Sequence, residues 1–266
     1  MSVTLPAANQ VFHALRRVAA DASGALVRRG AGGQLAGALL IDRGRVCSAI
    51  TKGQGQHLSD ALVAESGALT PAQMTELVAE CQREHLPLGE TLVARGLVTL
   101  PDLRRALFTH TCQALEVAIQ ADASPWTWVA HRQQGYDPVA SFAPIEVLAG
   151  VHALSKPALA GAAETTLARV ATSDQRGFAI RRGAKFPLAQ LRCEDLSLEA
   201  LTDIVVQAEE VTALSATLAI EVTVTDLGGV ACATWTRDEV LYVLLSDGEL
   251  AFNRLLAQMA ATSISH

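Results

Sequence analysis

The sequence predicts an α+β fold: two small antiparallel sheets packed with helices, plus a helical repeat inserted in the first domain. Half of the 266 residues are apolar and only 18% are charged, which is ample for buried cores and too little charge for a disordered chain. Segments that alternate apolar and polar residues recur in both halves, bounded by Gly-rich turns. Between them lies a stretch that echoes itself at a period of about 30 residues, the signature of stacked helical units.

The elements follow in order. Asn9–Ala22 reads as an amphipathic helix, with Val11, Leu15, Val18 and Ala22 on one stripe and Ser23-Gly24 as its end. Three strands come next, Ala25–Arg28, Leu35–Asp42 and Val46–Ile50, joined by Gly30–Gly33 and Asp42-Arg43-Gly44, both with hairpin-turn chemistry. Leu58–Ala64 is then echoed at Leu88–Ala94, Gly67 at Gly96, and Thr70 at Thr99. Each copy predicts a short helix, a Gly turn and a longer helix. Thr70 and Thr99 are the expected N-caps, each with Pro in the first turn that follows. Trp126–Val129 alternates like a strand, Gln133–Pro144 reads as loop, and Ile145–Leu154 as helix.

Ser155-Lys156-Pro157 is the expected linker, because Pro157 disfavours helix at Lys156. It divides the chain into a first domain, 1–155, holding the repeat at 57–113, and a second, 156–266. The second predicts the order α-ββ-α-βββ-α. A helix over Leu159–Ala171 is followed by strands Gly177–Arg182 and Pro187–Cys193. A long helix from Ser197 carries the stripe Leu198, Leu201, Ile204, Val205, Ala208, Val211, Leu214. Strands around Ile220–Val224, Ala231–Trp235 and Val240–Leu245 follow, the last apolar enough for a central strand. A closing helix, Glu249–Ala261, is expected to bury Leu255, Leu256 and Met259.

Charge and motif content narrow the function. The net charge of −6 argues against nucleic-acid binding, which needs clustered Lys and Arg. The basic pairs, Arg28-Arg29 among them, read as solvated faces. Five widely spaced cysteines with no C-x-x-C predict neither a disulfide framework nor structural zinc. Met1–Ala8 lacks a signal peptide's basic segment and apolar run, and no stretch is long enough to span a bilayer, so a cytoplasmic chain without direct membrane insertion is expected. Thr51–Gln56 is Gly-rich but lacks the Gly-Lys-Ser/Thr ending of a phosphate loop. His110 and Cys112 stand two apart on a helix, so their side chains diverge. No catalytic, cofactor or metal site is expected. Trp126, Trp128 and Trp235 read either as core or as a contact surface, since Trp is enriched at interface hot spots.

Three resemblances go with these residues. Ser23–Leu26, Gly37–Val46 and Ala49 resemble the PATAN module of bacterial signalling proteins, with residues 123–150 as its closure. The repeat, through Leu88-Gly89, Leu92-Val93, Gly96-Leu97-Val98, Leu103 and Ala106-Leu107, resembles the N-terminal domain of type II secretion and pilus ATPases. In some members that domain binds cyclic di-GMP, which implies Leu88, Gly89, Gly96 and Leu97 as nucleotide candidates. His57 and Pro87 stand where that family has Arg, and Arg is the group best able to grip phosphate. Residues 159–266 resemble the Roadblock/LC7 fold in element order, which implies a homodimer and partnership with small Ras-like GTPases. The expected function is therefore a non-catalytic bacterial signalling adaptor acting through protein–protein contacts, in GTPase regulation or a motility or polarity system. The alternative is a cyclic di-GMP sensor working through residues 57–110.

Overall fold

The computed structural model describes residues 5–51, 58–66, 69–121, 124–130, 140–217, 221–248 and 250–261. The fold is α+β with two antiparallel sheets, one of four strands and one of five. The chain forms two compact units. One is Val18–Phe142; the other joins Met1–Arg17 to Ala143–His266.

In the first unit, β1 (Gly24–Arg29), β2 (Leu35–Asp42), β3 (Arg45–Thr51) and β4 (Thr127–Ala130) form a sheet in the order β3-β2-β1-β4. The β2–β3 turn places Arg43 and Gly44 at φ 49° and 73°, the left-handed pair that a two-residue hairpin demands. Four helices follow β3: α2 (Leu58–Ser66), α3 (Pro71–Glu84), α4 (Leu88–Ala94) and α5 (Leu100–Gln120). Thr70 and Thr99 cap α3 and α5 through their hydroxyls, Thr70 in a full capping box with Gln73. The repeat encloses its own core of Leu62, Met74, Leu77, Leu92, Val98 and Leu103. The second half of α5 lies across β2 and β3. Its approach requires glycine at 37, where a Cβ would stand 2.4 Å from that of Ala118.

The second unit begins with α1 (Leu5–Arg16) and continues with α6 (Pro144–Ser155), α7 (Pro157–Val170), β5 (Arg176–Arg181), β6 (Ala189–Leu191), α8 (Leu198–Thr217), β7 (Val222–Asp226), β8 (Val230–Arg237), β9 (Val240–Asp247) and α9 (Ala251–Ala261). The sheet order is β6-β5-β9-β8-β7, so β9 is the central strand its apolar run predicts. Alternation sends Ala179, Ala233, Trp235, Tyr242 and Leu244 to one face, beneath α7 and α9. Phe178, Ile180 and Val243 go to the other, where α8 buries Leu198, Leu201, Val205 and Ala208.

Several expectations need correction. The division between units does not fall at 155/156. Lys156 (φ −141°, ψ 57°) is a one-residue bend between α6 and α7, and both helices belong to the same unit. Pro157 ends one helix, but proline also suits the first turn of the next, so the break creates no spacer. Helix α1 stops at Arg16 rather than Ala22. The residues after it serve the β2–β3 hairpin instead: Gly44 N donates to Ala22 O at 3.0 Å. The expected strand over 187–193 shrinks to β6, because Pro187 offers no N–H and Arg192 turns left-handed at φ 54°. Leu256 is 49% exposed and Leu214 68%, not buried. The stripe of α9 is the narrow i, i+4 line Ala251, Leu255, Met259. On α8, Ser215 takes the inward position, because its hydroxyl meets that of Thr223 at 2.5 Å. Ile220 and Glu249 lie outside the described residues.

Arg28 is the largest departure. It is 5% exposed and not a solvated charge. Its guanidinium donates to Ala118 O and Ile119 O, at the C-terminal end of α5, and to Ser124 O. The partial negative charge of a helix C-terminus suits a buried cation there.

Candidate functional site

The β7 edge of the five-stranded sheet is flanked by exposed apolar side chains on both faces. Its sequence, Val-Thr-Val-Thr-Asp, is β-branched through four positions, which favours an extended pleated strand. It pairs with β8 from Val222↔Trp235 to Asp226↔Ala231 without a register shift, and no strand among the described residues pairs with its other side. Val222 and Val224 pack towards the α7–α9 core. Thr223, on the opposite face, ties β7 to α8 through Ser215. The strand carries neither Lys, Pro nor a bulge, the usual guards of a free edge.

Helices α8 and α9 both pack against β7, one on each face of the sheet. Each presents apolar side chains to solvent: Val206 and Leu214 on α8, Phe252 and Leu256 on α9, with Leu250 just before it. Exposed apolar residues on two elements beside a strand edge that no described strand covers make this the candidate interaction surface. Sequence reasoning missed this cluster because Leu214 and Leu256 fit the helical stripe equally well as core. The signal available was the β-branched run with no charge until Asp226.

The tryptophans divide differently. Trp235 is 2% exposed and stacks on Tyr242 at 5.1 Å, so it is core of its own unit and no contact surface. Trp126 and Trp128 do share a face, the one covered by α5, and both are half-buried. Trp128 covers Gly24, and the Arg28 guanidinium lies 5.7 Å from the Trp126 ring.

No protein-family model matches the chain, and no curated protein or solved structure matches it.

Among the nucleotide candidates, Leu88 and Leu97 pack against the core of the repeat. A Cβ added at Gly89 would stand 3.2 Å from the Leu103 side chain, and Gly96 (φ 66°) follows the end of α4. The neighbouring cation, Arg95, is held by both carboxylate oxygens of Glu80. His57 lies outside the described residues.

The cysteines are buried thiols. Burial pushes Cys47 and Cys193 up to about 11 and Cys232 to about 12, far from a thiolate at neutral pH. His110 and Cys112 share α5, and Cys112 is buried. No group of three or more His, Cys, Asp or Glu placed to hold a metal occurs among the described residues. No described helix is long and apolar enough to cross a membrane.

Proposed function

We propose that the chain is a non-catalytic cytoplasmic signalling adaptor that works by covering apolar surface with other proteins, and that it pairs with a second copy of itself through the β7 edge. The observation that carries the reading is the β7 edge, which no described strand covers, with exposed Leu214 on α8 on one side and Phe252 and Leu256 on α9 on the other. An isologous pairing would join two five-stranded sheets and bury these three side chains. The resemblance of residues 159–266 to the Roadblock fold adds the class of a further partner, a small Ras-like GTPase. That of residues 23–49 to the PATAN module adds a bacterial signalling, motility or polarity context. The cyclic di-GMP alternative has less support, since Leu88 and Leu97 serve the repeat's own core and Arg95 is spent on Glu80.

Sedimentation equilibrium tests the pairing. The wild-type chain is expected at twice its 28.0 kDa at micromolar concentration. Leu214→Glu and Leu256→Glu change exposed positions, so folding is preserved. Each removes about 1.5–3 kcal/mol of apolar burial at the seam and weakens the dimer roughly tenfold or more. A wild-type chain that stays monomeric, or variants that dimerise as well as it does, would overturn the proposal.

A further inference from the structure

The second unit contains a ring stack that ties the first helix to a buried histidine. Helix α1 spans 12 residues, too short to be stable alone in water, so its helicity depends on its seat. It inserts one stripe, Val11, Phe12 and Leu15, all 4% exposed or less. Phe12 stacks on Phe186, with ring centres 6.5 Å apart and planes 24° from parallel. Phe186 in turn meets the edge of His152, on α6, at 5.2 Å and 63°. One hydrogen bond joins the helix to the same loop, from Lys185 N to Asn9 Oδ1 at 3.2 Å.

His152 is 5% exposed, and its Nδ1 lies 3.3 Å from Pro187 O, next to the ring it supports. The neutral imidazole satisfies that carbonyl with an Nδ1–H. Every charge acting on it is positive: Arg181 at the end of β5 and Lys156 at the α6–α7 bend. The groups acting on His13, on α1 itself, are also cations: Arg16, Arg17 and Lys185. A proton on His152 therefore enters a desolvated, apolar place whose described charges, Arg181 and Lys156, repel it.

We propose that α1 is an acid-sensitive latch, docked while the Phe12–Phe186–His152 stack holds a neutral imidazole and released when that ring is protonated. Burial holds His152 below the usual imidazole value, with Arg181 and Lys156 adding to the effect and the Pro187 carbonyl opposing it. Undocking withdraws Phe12 from Phe186, the ring that covers His152, and so lets the imidazole titrate nearer its ordinary value of about 6.5. Docking is then fully favoured above that value and weakens as the pH falls through it. The loss is at most about tenfold in the docking equilibrium per pH unit, and it levels off below the docked state's own value. His13 is displaced in the same direction, so a His13→Gln control separates its share. Release bares Phe186 and a flank of α8, the helix against which α1 packs.

Hydrogen–deuterium exchange of the full chain at pH 7.5 and 5.5, corrected for the intrinsic pH dependence of exchange, reads the latch directly. Amides of residues 9–16 are expected to lose about tenfold in protection at pH 5.5, while β8 and β9 keep theirs. His152→Leu, which fills the space with an apolar side chain, is expected to remove most of that loss, and to abolish it in a His13→Gln background. Phe12→Ala leaves His152 in place and is expected to expose α1 already at pH 7.5, with little further change on acidification. Wild-type α1 equally protected at both pH values, or the same loss in His152→Leu, overturns the proposal. Neither result bears on whether β7 pairs two copies.

Discussion

Arg28→Met removes a buried cation while keeping a side chain of similar length. The guanidinium makes three described hydrogen bonds to carbonyls, at 2.8 Å to Ala118, 3.0 Å to Ile119 and 2.9 Å to Ser124. Hydrogen bonds to a charged group contribute about 1.5–3 kcal/mol each, but they are not additive when one side chain makes all of them. Methionine restores apolar burial, and part of the carbonyl surface reaches water once the guanidinium is gone. Loss of the contact with the Trp126 ring adds about 0.5–1 kcal/mol. The expected cost is about 3–5 kcal/mol, as for other buried charges that lose or leave a partner. A domain's whole stability is about 5–15 kcal/mol, so the first unit should unfold well before the second. Urea denaturation followed by far-UV circular dichroism and tryptophan fluorescence measures it. Arg28→Lys keeps the charge but not the fork, and should lose about half as much. Because arginine does not titrate, the difference should be flat from pH 5 to 9. A loss under about 1 kcal/mol for Arg28→Met would refute the reasoning that this residue ties α5 to β1.

Gly37→Val drives a branched side chain into Ala118, whose Cβ would lie 2.4 Å from the new Cβ; a loss of about 3 kcal/mol or more in urea denaturation is expected. Thr70→Ala removes the hydroxyl of a capping box and should cost about 1 kcal/mol, read as a small shift in the same midpoint, with the helix signal retained. Cys193 and Cys232, held at about 11 and about 12 by burial, should resist a thiol reagent at pH 8 in the folded chain and react on denaturation; rapid native labelling at either would contradict their burial.

Much of the architecture was legible in the residues because local rules and tertiary packing agree there. The β8–β9 hairpin follows from an alternating run and a nearly continuous apolar run around a turn, where Asp238 and Glu239 adopt φ 49° and 64°. Thr70 and Thr99 cap their helices because a hydroxyl before a proline-bearing first turn has few better uses. What escaped the sequence was long-range. Nothing in the pair Arg28-Arg29 tells which arginine meets the end of a helix some 90 positions away, although strand alternation implies that they face opposite sides. Helix α1 and α6 join the second unit through Phe12, Phe186 and His152, residues far apart in sequence, so a boundary placed by Pro157 alone misses it. The candidate interface was hidden because an apolar side chain at helical spacing looks the same facing a core or a partner. Leu255 and Leu256 are adjacent, yet one is fully buried and the other half exposed.

The pairing of two copies through β7 is tested most directly by following the exchange of the Val222–Asp226 amides as the protein is diluted from well above to well below the concentration at which the dimer dissociates. The outward-facing N–H groups of β7 should be protected when concentrated and exchange freely when dilute, while central β9 stays protected throughout. Amides in β7 that exchange at one rate across the whole dilution series would mean that this edge is not where the protein meets its own kind.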